Sequence, residues 1–285
     1  SDVCSSDLGG RSFFSKIQRR DPASEHLTML SSRMRTVCLD DSTLCLQPSI
    51  VIVDSVGFNN TLRNQWSLIR EFRQLSSLEV LESINGTNPV SFTELNYLNE
   101  LAHLRFSIHL CPANVFEALV TEKFLTNLRS LDLRVSWPNN EHISKLFAST
   151  PHLTSLASDN LDASEPLSFL TALRVLDLQV KAPSLVDFSE AFRHLQDLES
   201  VMLYGNMCSL SARDFCSLKN LRSLKLCTFT LDGDFFGELA ELSTLTKLGV
   251  YESDIPSHST LFGINVLTNL ERLKLEDIER PDRIQ

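Results

Sequence analysis

The stretch LKNLRSLKL, residues 218–226, decides how this chain folds. Its leucines are spaced by three, three and two residues, at Leu218, Leu221, Leu224 and Leu226. Spacing of three and then two fits neither a long helix nor a simple strand, because helical faces repeat every three or four residues and strand faces every two. The pattern predicts a turn that enters a short strand. Leu224 and Leu226 would point into a core, with Lys225 and Cys227 on the opposite face.

The same pattern recurs along the chain at separations of 20 to 27 residues. We call the residue equivalent to Leu224 the anchor, and the aligned anchors are Leu81, Leu104, Leu131, Leu156, Leu176, Val201, Leu224, Leu248 and Leu273. The third residue before each anchor is leucine, and the second residue after most anchors is apolar, the exceptions being Ser83 and Ser158. In a leucine-rich helical bundle, the helical spacing of leucines would not start again at this interval. Repeats of one strand and one return segment are therefore predicted.

The return segments carry helical spacing. In residues 232–242 the apolar positions Phe235, Leu239 and Leu242 recur at steps of four and three, which predicts a short amphipathic helix. A period in the twenties headed by L-x-x-L-x-x-L-x-L resembles the leucine-rich repeat family over residues 72–280. The resemblance implies an α/β leucine-rich repeat solenoid. Its curved parallel β-sheet would form the concave face, and short helices or helical turns would form the convex face.

Residues outside the regular array set the expected domain limits. Residues 1–8, SDVCSSDL, resemble a translated sequencing adapter and are excluded from the fold. Residues 9–29 are expected to be a helical or linker segment, and residues 30–285 a repeat domain that is irregular to about residue 71. Met34, Val37 and Leu39 show the three-then-two spacing there, and the β-branched run at 48–55 predicts a buried strand. No polar terminal cap follows the last repeat, so a truncated C-terminus is expected.

Composition and charge argue against several classes of function. With 285 residues and a net charge of −10, the chain lacks the basic balance of a nucleic-acid binder or of a protein held on anionic membranes. No apolar run approaches the roughly 18 residues of a membrane helix.

Seven cysteines without a C-x-x-C pair favour free thiols in a reducing compartment. With no signal peptide at its start, the chain is expected to be cytoplasmic.

Motifs that carry catalysis or bind cofactors are missing from the sequence. It contains no G-x-x-x-x-G-K-[S/T] or G-x-G-x-x-G loop for phosphates and no G-x-S-x-G elbow. None of the seven histidines forms H-E-x-x-H or pairs with cysteine at zinc spacing. We therefore expect no enzymatic activity, no cofactor and no metal site.

The candidate binding residues lie on the concave face of the predicted sheet, where aligned strands bring equivalent residues into rows. The residue directly after the anchor gives Asp132, Asp177, Met202, Lys225 and Lys274, with Ala157 and Gly249 completing the row. The third residue after the anchor gives Arg134, Asp159, Gln179, Tyr204, Cys227, Tyr251 and Glu276. Aromatic and methionine side chains among mixed charges favour a protein ligand over a polyanion. The alternative is a solvated face without a partner.

Among leucine-rich repeat proteins, the copies LNELAHLRFSI and LTNLRSLDLRV resemble those of plant intracellular nucleotide-binding disease-resistance receptors. This resemblance implies a ligand-sensing repeat domain that also contacts other domains of its own full-length chain. Two alternatives stay open, the substrate-recognition domain of an F-box ubiquitin-ligase subunit and a structural scaffold.

The familiar repeat has an asparagine five residues after the anchor, whose side chain hydrogen-bonds backbone groups at the turn. In this sequence only Asn206 stands at that position.

Overall fold

The computed structural model describes residues 36–39, 44–45, 52–55, 76–82, 96–108, 119–135, 140–161, 165–180, 188–255 and 261–278. The chain divides into two compact units, one ending at Leu128 and one beginning at Arg129. The segments predicted at 1–8 and 9–29 lie outside the described residues.

The first unit includes five strands among its described residues. They are β1 (Thr36–Leu39), β2 (Leu44–Cys45), β3 (Ile52–Ser55), β4 (Ser77–Glu82) and β5 (His103–Ile108). Strand β4 pairs in parallel with β5, β1 and β3, whereas β1 and β2 pair antiparallel. A 3₁₀ helix, Lys123–Asn127, lies near the end of the unit. The strand predicted within 48–55 is therefore present as β3.

The register of β4 corrects the first anchor. Leu78, not Leu81, pairs with the anchor Leu104. Leu81 instead pairs with Ser107, so it lies an odd number of residues from the anchor and out of phase with the anchor column. The sequence misleads at this point because SLEVLE offers two leucines three residues apart. With Leu78 as the anchor, Val37 of β1 also falls in the anchor column, as the early spacing predicts.

The described residues of the second unit form seven strands in chain order. They are β6 (Ser130–Val135), β7 (Ser155–Leu161), β8 (Val175–Val180), β9 (Ser200–Leu210), β10 (Ser223–Leu231), β11 (Lys247–Tyr251) and β12 (Arg272–Glu276). Each strand pairs in parallel with the next. Their register aligns the predicted anchors from Leu131 to Leu273 without a break.

Burial confirms the predicted orientation of these strands. Leu224 and Leu226 are fully buried, whereas Lys225 is exposed and Cys227 is half-buried on the other face. The anchor column stays buried from Leu131 to Leu248, but at β12 the anchor Leu273 is 43% exposed. From β6 to β11, alternate residues of each strand therefore supply the core, as a half-buried strand requires.

In the second unit, backbone hydrogen bonds between successive turns set where the next strand begins, so the leucine spacing starts again at that strand. The carbonyl of Arg222 accepts from the amides of both Thr246 and Lys247, each at 2.9 Å. The carbonyls of Arg129, Thr154, Arg174, Glu199 and Thr246 accept in the same way from the following repeat. Because each turn bonds to the next, the leucine columns return to register whatever the length of the intervening segment.

The returns of the second unit are short helices. They are α1 (Asn140–Ala148), α2 (Phe188–Phe192), α3 (Phe235–Glu238) and the 3₁₀ helices Glu165–Phe169, Ala212–Phe215, Leu239–Glu241 and Leu261–Val266. The predicted apolar positions Phe235, Leu239 and Leu242 are all buried. At Ala212–Phe215, Ser211 and Asp214 form a reciprocal capping box that satisfies amides at the start of the helix.

A row of phenylalanines, Phe188, Phe192 and Phe215, links two successive returns. The ring of Phe192 stacks on Phe188 with centroids 5.3 Å apart and lies 5.6 Å from Phe215 of the next return. All three side chains are buried. Aromatic pairs at this distance add stabilisation beyond the apolar area that they bury. The helical side of the second unit therefore contributes aromatic packing of its own beside the leucine columns.

The turn after β11 is held by a serine. Asn206, the one asparagine at the expected position, is exposed. At the equivalent position Ser253 is fully buried, accepts a hydrogen bond from the amide of Phe229 at 3.2 Å and donates to the carbonyl of Tyr251 at 2.7 Å. In this turn the hydroxyl of Ser253 therefore forms the backbone hydrogen bonds that an asparagine side chain forms in the familiar repeat.

We expect Ser253→Ala to lower the free energy of unfolding by about 1–3 kcal/mol, because it leaves the buried amide of Phe229 without this acceptor. Urea denaturation measures the change. Ser209→Ala is the matched control, since Ser209 is exposed near the end of β9 and its loss should cost little. Equal stability of the two variants would show that the serine does not hold the turn.

Candidate functional site

The candidate residues whose side chains the structure describes lie on one face of the second unit's sheet, which we call the open face. It carries the strand residues of β6 to β12 that alternate with the buried columns. The first predicted row is continuous in the strand register. It runs Asp132, Ala157, Asp177, Met202, Lys225, Gly249 and Lys274, each paired with the next.

The second predicted row is continuous over five strands. Gln179, Tyr204, Cys227, Tyr251 and Glu276 pair in sequence from β8 to β12. Asp159 does not join this row, because the register of β7 against β8 shifts after Ser158. Arg134 lies in β6, but its side chain is outside the described part of the chain. The register therefore gathers the tyrosines and the cysteine and leaves Asp159 out of line.

Tyr251 lies back over its own strand. A β-carbon placed on Gly249 would come within 2.7 Å of the Tyr251 ring, so the ring covers the glycine, and Gly249 is buried although it belongs to the open face. The Lys274 ammonium sits 5.1 Å from the centroid of the same ring, within range of a cation–π contact. Lys274 also forms an ion pair with Glu276 at 2.9 Å, and that hydrogen bond raises the pKa of Lys274.

The conformation of Tyr251 depends on the missing side chain at Gly249, and a double-mutant cycle tests this. In the Tyr251→Ala background, we expect Gly249→Ala to stabilise the protein by about 0.5–1 kcal/mol, the usual gain when glycine leaves a strand interior. With Tyr251 present, the same change should give no gain, because the ring must move. Thermal denaturation of the four proteins gives the coupling energy. Identical effects in both backgrounds would contradict the close packing.

Tyr204 and Met202 form a similar pair on β9. The Tyr204 hydroxyl lies 3.6 Å from the Met202 sulfur, and the tyrosine is 36% exposed. Lys225 and Cys227 of β10 stand between this pair and Tyr251 of β11. We call the five residues Met202, Tyr204, Lys225, Cys227 and Tyr251 the tyrosine patch. It spans three adjacent strands and combines two aromatic rings with one exposed cation.

Cys227 does not have the environment of a reactive thiol. Burial raises the pKa of Cys227, the Glu252 carboxylate raises it further, and Lys225 opposes the shift. A raised pKa keeps the thiol protonated at neutral pH, whereas nucleophilic cysteines are thiolates in electropositive surroundings. Cys227 is therefore a small, half-buried contact residue between the two tyrosines.

A third row on the open face is missing from the sequence prediction. The residue directly before each anchor has the same orientation as the residue directly after it, and in β11 and β12 this residue is basic, at Lys247 and Arg272. The two are register partners and both are exposed. The period of two could have identified them, since residues one before and one after the anchor share a face.

The described part of the chain contains neither a metal site nor a membrane helix. Among those residues, no group of three or more histidine, cysteine, aspartate or glutamate side chains could hold a metal ion. No described helix is long and apolar enough to cross a membrane. The cysteines Cys208, Cys216 and Cys227 are free thiols.

The chain is similar to known proteins in structure alone. Neither a protein-family model nor a curated protein matches the sequence. An internalin from Listeria monocytogenes is similar over 98% of this chain and 94% of its own, with 13% identity and a TM-score of 0.50. A leucine-rich repeat protein of Leptospira interrogans is similar over 75% of this chain and 63% of its own, with 18% identity and a TM-score of 0.44.

A third structure also matches, over a smaller share of its length. The structure of PEPR1–AtPEP1 is similar over 85% of this chain and 36% of that chain, with 16% identity and a TM-score of 0.48. At these identities, similarity is informative about the fold alone. Together with the repeating register of parallel strands and short helical returns, the likeness to the internalin shows that the chain has the leucine-rich repeat fold.

Proposed function

We propose that this chain is a non-catalytic recognition module that binds a protein ligand through the open face, with the tyrosine patch at the centre of the contact. The observation that carries the proposal is the placement of Tyr204 on β9 and Tyr251 on β11, the two strands that flank β10. The Tyr204 side chain contacts Met202 and the Tyr251 ring covers Gly249, so each tyrosine is held against its own strand. Little side-chain conformational freedom therefore remains to be lost on binding. Tyrosine and methionine are enriched in protein interfaces.

Removing both tyrosine rings tests the proposal. Binding peptides would first be selected from a phage-displayed library of random twelve-residue peptides, and their affinities measured by fluorescence anisotropy. We expect Tyr204→Ala/Tyr251→Ala to weaken binding at least tenfold, since each aromatic anchor at an interface commonly contributes about 1–2 kcal/mol or more.

The matched control is Tyr97→Ala/Phe169→Ala, which removes two exposed aromatic rings outside the open face. It should change the affinity less than twofold. An equal loss in both double variants, or no loss in either, would contradict the role of the tyrosine patch.

Within this function, we propose that the chain is the ligand-sensing and autoinhibitory repeat domain of a plant intracellular disease-resistance receptor, acting in the cytoplasm. The support is the resemblance of copies such as LTNLRSLDLRV, together with the free thiols of Cys208, Cys216 and Cys227. The substrate-recognition domain of an F-box ubiquitin-ligase subunit is the second candidate. The sequence encoded upstream separates the two: a phosphate-binding loop supports the receptor, and an F-box that co-precipitates a Skp1-type adaptor supports the ligase.

A further inference from the structure

The tyrosine patch is bordered by charges of both signs. Exposed cations on β10, β11 and β12 lie among exposed carboxylates of β12 and the adjoining turns. The cations are Lys225, Lys247, Arg272 and Lys274, and the carboxylates are Glu252, Glu271, Glu276 and Asp277. Lys274 is already paired with Glu276 at 2.9 Å and lies against the ring of Tyr251. Because these charges balance, a ligand that carries no charge is complementary to this part of the open face.

Carboxylates of the protein also act on the centre of the patch. Burial raises the pKa of Cys227 most, Glu252 and Asp177 raise it further, and Lys225 lowers it. These side chains are therefore close enough to Cys227 for their charges to act on the thiol. Since Lys225 shares its surroundings with carboxylates, the patch does not depend on an acidic ligand for electrostatic balance.

The polar groups that face a ligand at the patch include several hydrogen-bond donors. Lys225 is exposed on β10 between its register partners Met202 and Gly249. Tyr204 contacts the first of these and the ring of Tyr251 covers the second, so Lys225 stands between the two tyrosines. An ammonium group only donates, and a tyrosine hydroxyl can donate as well. Proline has a backbone carbonyl but no N–H, so a proline-rich segment offers mainly the acceptors that such donors need.

The spacing of the two tyrosines matches one turn of a polyproline II helix. Tyr204 and Tyr251 occupy the same row on β9 and β11, with Cys227 of β10 between them. Two strand-to-strand steps of about 4.8 Å separate them by about 9.6 Å. A polyproline II helix presents the same face every third residue, which is about 9.3 Å along its axis. Residues i and i+3 of such a segment would therefore lie one on each tyrosine.

Deepening the proposed function, on which it rests, we infer that the ligand is a proline-rich segment of a partner protein in the polyproline II conformation, with two prolines three residues apart packed on Tyr204 and Tyr251. Lys225 donates a hydrogen bond to a backbone carbonyl between the two prolines. Segments of this kind bind aromatic-lined surfaces because their backbone is already ordered before binding. The tyrosines are also held in place, so neither partner loses much conformational freedom.

Other peptide conformations fit the patch less well. In a β-strand, residues on the same face are about 6.6 Å apart, which falls short of the distance between the two tyrosines. In an α-helix, residues i and i+7 are about 10.5 Å apart, but the helix is about 10–12 Å wide. Its apolar face would cover Lys225, and burying the ammonium under apolar side chains costs free energy.

The spacing of prolines in selected peptides tests the inference. The phage-displayed library of random twelve-residue peptides is panned on the wild-type chain, and we expect the selected peptides to share two prolines three residues apart. The tightest peptide is then synthesised again with one residue deleted, or one alanine inserted, between these prolines. Either change takes one proline away from its tyrosine and should weaken binding at least tenfold. Alanine at either intervening position should weaken binding less than threefold, because those side chains point away from the two rings.

Lys225→Met tests the hydrogen bond, because it removes the ammonium and keeps a long unbranched side chain. We expect the affinity for the selected peptide to fall at least fivefold. Lys219→Met is the matched control, since Lys219 is exposed in the turn before β10, and it should change the affinity less than twofold. A tenfold rise in salt concentration should change the wild-type affinity less than twofold, because screening has little effect on an uncharged ligand.

Several outcomes would overturn the inference. Selected peptides without the paired prolines would do so, as would binding that does not depend on the number of residues between them. Unchanged affinity in Lys225→Met, or a loss of tenfold or more at high salt, would also do so. Selected peptides that lack the paired prolines but no longer bind Tyr204→Ala/Tyr251→Ala overturn this inference and leave the proposed function standing. Binding that the double tyrosine variant does not weaken overturns both.

Discussion

Leu224→Ala is expected to lower the free energy of unfolding by about 2–5 kcal/mol. Leu224 is fully buried in the anchor column, and its strand has a neighbour on each side, β9 and β11. Truncating it removes apolar contacts and leaves a cavity that the surrounding strands fill only in part. Chemical denaturation with the slope held common to both proteins measures the loss.

Leu273→Ala is the control, because Leu273 occupies the same column on β12 but is 43% exposed. The two substitutions delete the same atoms, so they differ only in how much packing they remove. We expect the loss at Leu273 to be less than half of that at Leu224. Equal losses would mean that the anchor column is not the core of the second unit.

Phe192→Ala is expected to cost about 3–5 kcal/mol, the largest loss that we expect from any single substitution in this chain. The ring is fully buried and contacts the rings of Phe188 and Phe215, so its removal opens a large cavity and breaks two aromatic contacts. Because Phe215 belongs to the next return, the substitution should also loosen the packing between successive repeats.

Phe169→Ala provides the comparison, since Phe169 also lies in a return but is 47% exposed. We expect its effect on the midpoint of thermal unfolding to be small. Should both variants unfold at the same temperature, the phenylalanine row would have no special part in the stability of the fold.

The leucine columns could be predicted because they depend on sequence period alone. From Leu131 to Leu248 the register pairs every anchor that the spacing of LKNLRSLKL identifies, and all of these anchors are buried. The same pattern is ambiguous at β4, because Leu78 and Leu81 both satisfy a spacing of three and only pairing with β5 selects Leu78. Local spacing gives the period, and the neighbouring strand sets the register.

In the sequence, we considered only the familiar asparagine position, five residues after the anchor. The one asparagine there, Asn206, is exposed within β9. The asparagines that bond the backbone instead come four residues before the anchor, where Asn220 donates to the carbonyl of Gln196 at 2.9 Å and Asn269 donates to that of Ser243 at 2.6 Å. Motifs such as LKNL and LTNL carried this signal, which a search for the familiar position could not detect.

The composition of the open face could be predicted, but its geometry could not. Period-two alternation places Tyr251 and Gly249 on the same face, yet nothing in the sequence indicates that the ring folds back over the glycine. Side-chain direction depends on the space left by neighbours, and the Lys274 contact exists only because β12 lies beside β11.

Site-specific photo-crosslinking of a selected peptide tests the open face most directly as the recognition surface. A benzophenone amino acid would replace Lys225, at the centre of the tyrosine patch, or Lys219, an exposed lysine in the turn before β10. After irradiation with the peptide, mass spectrometry measures the crosslinked fraction. If the open face is the recognition surface, the peptide crosslinks at position 225 and not at position 219. Crosslinking at position 219 with none at position 225 would contradict this role of the open face.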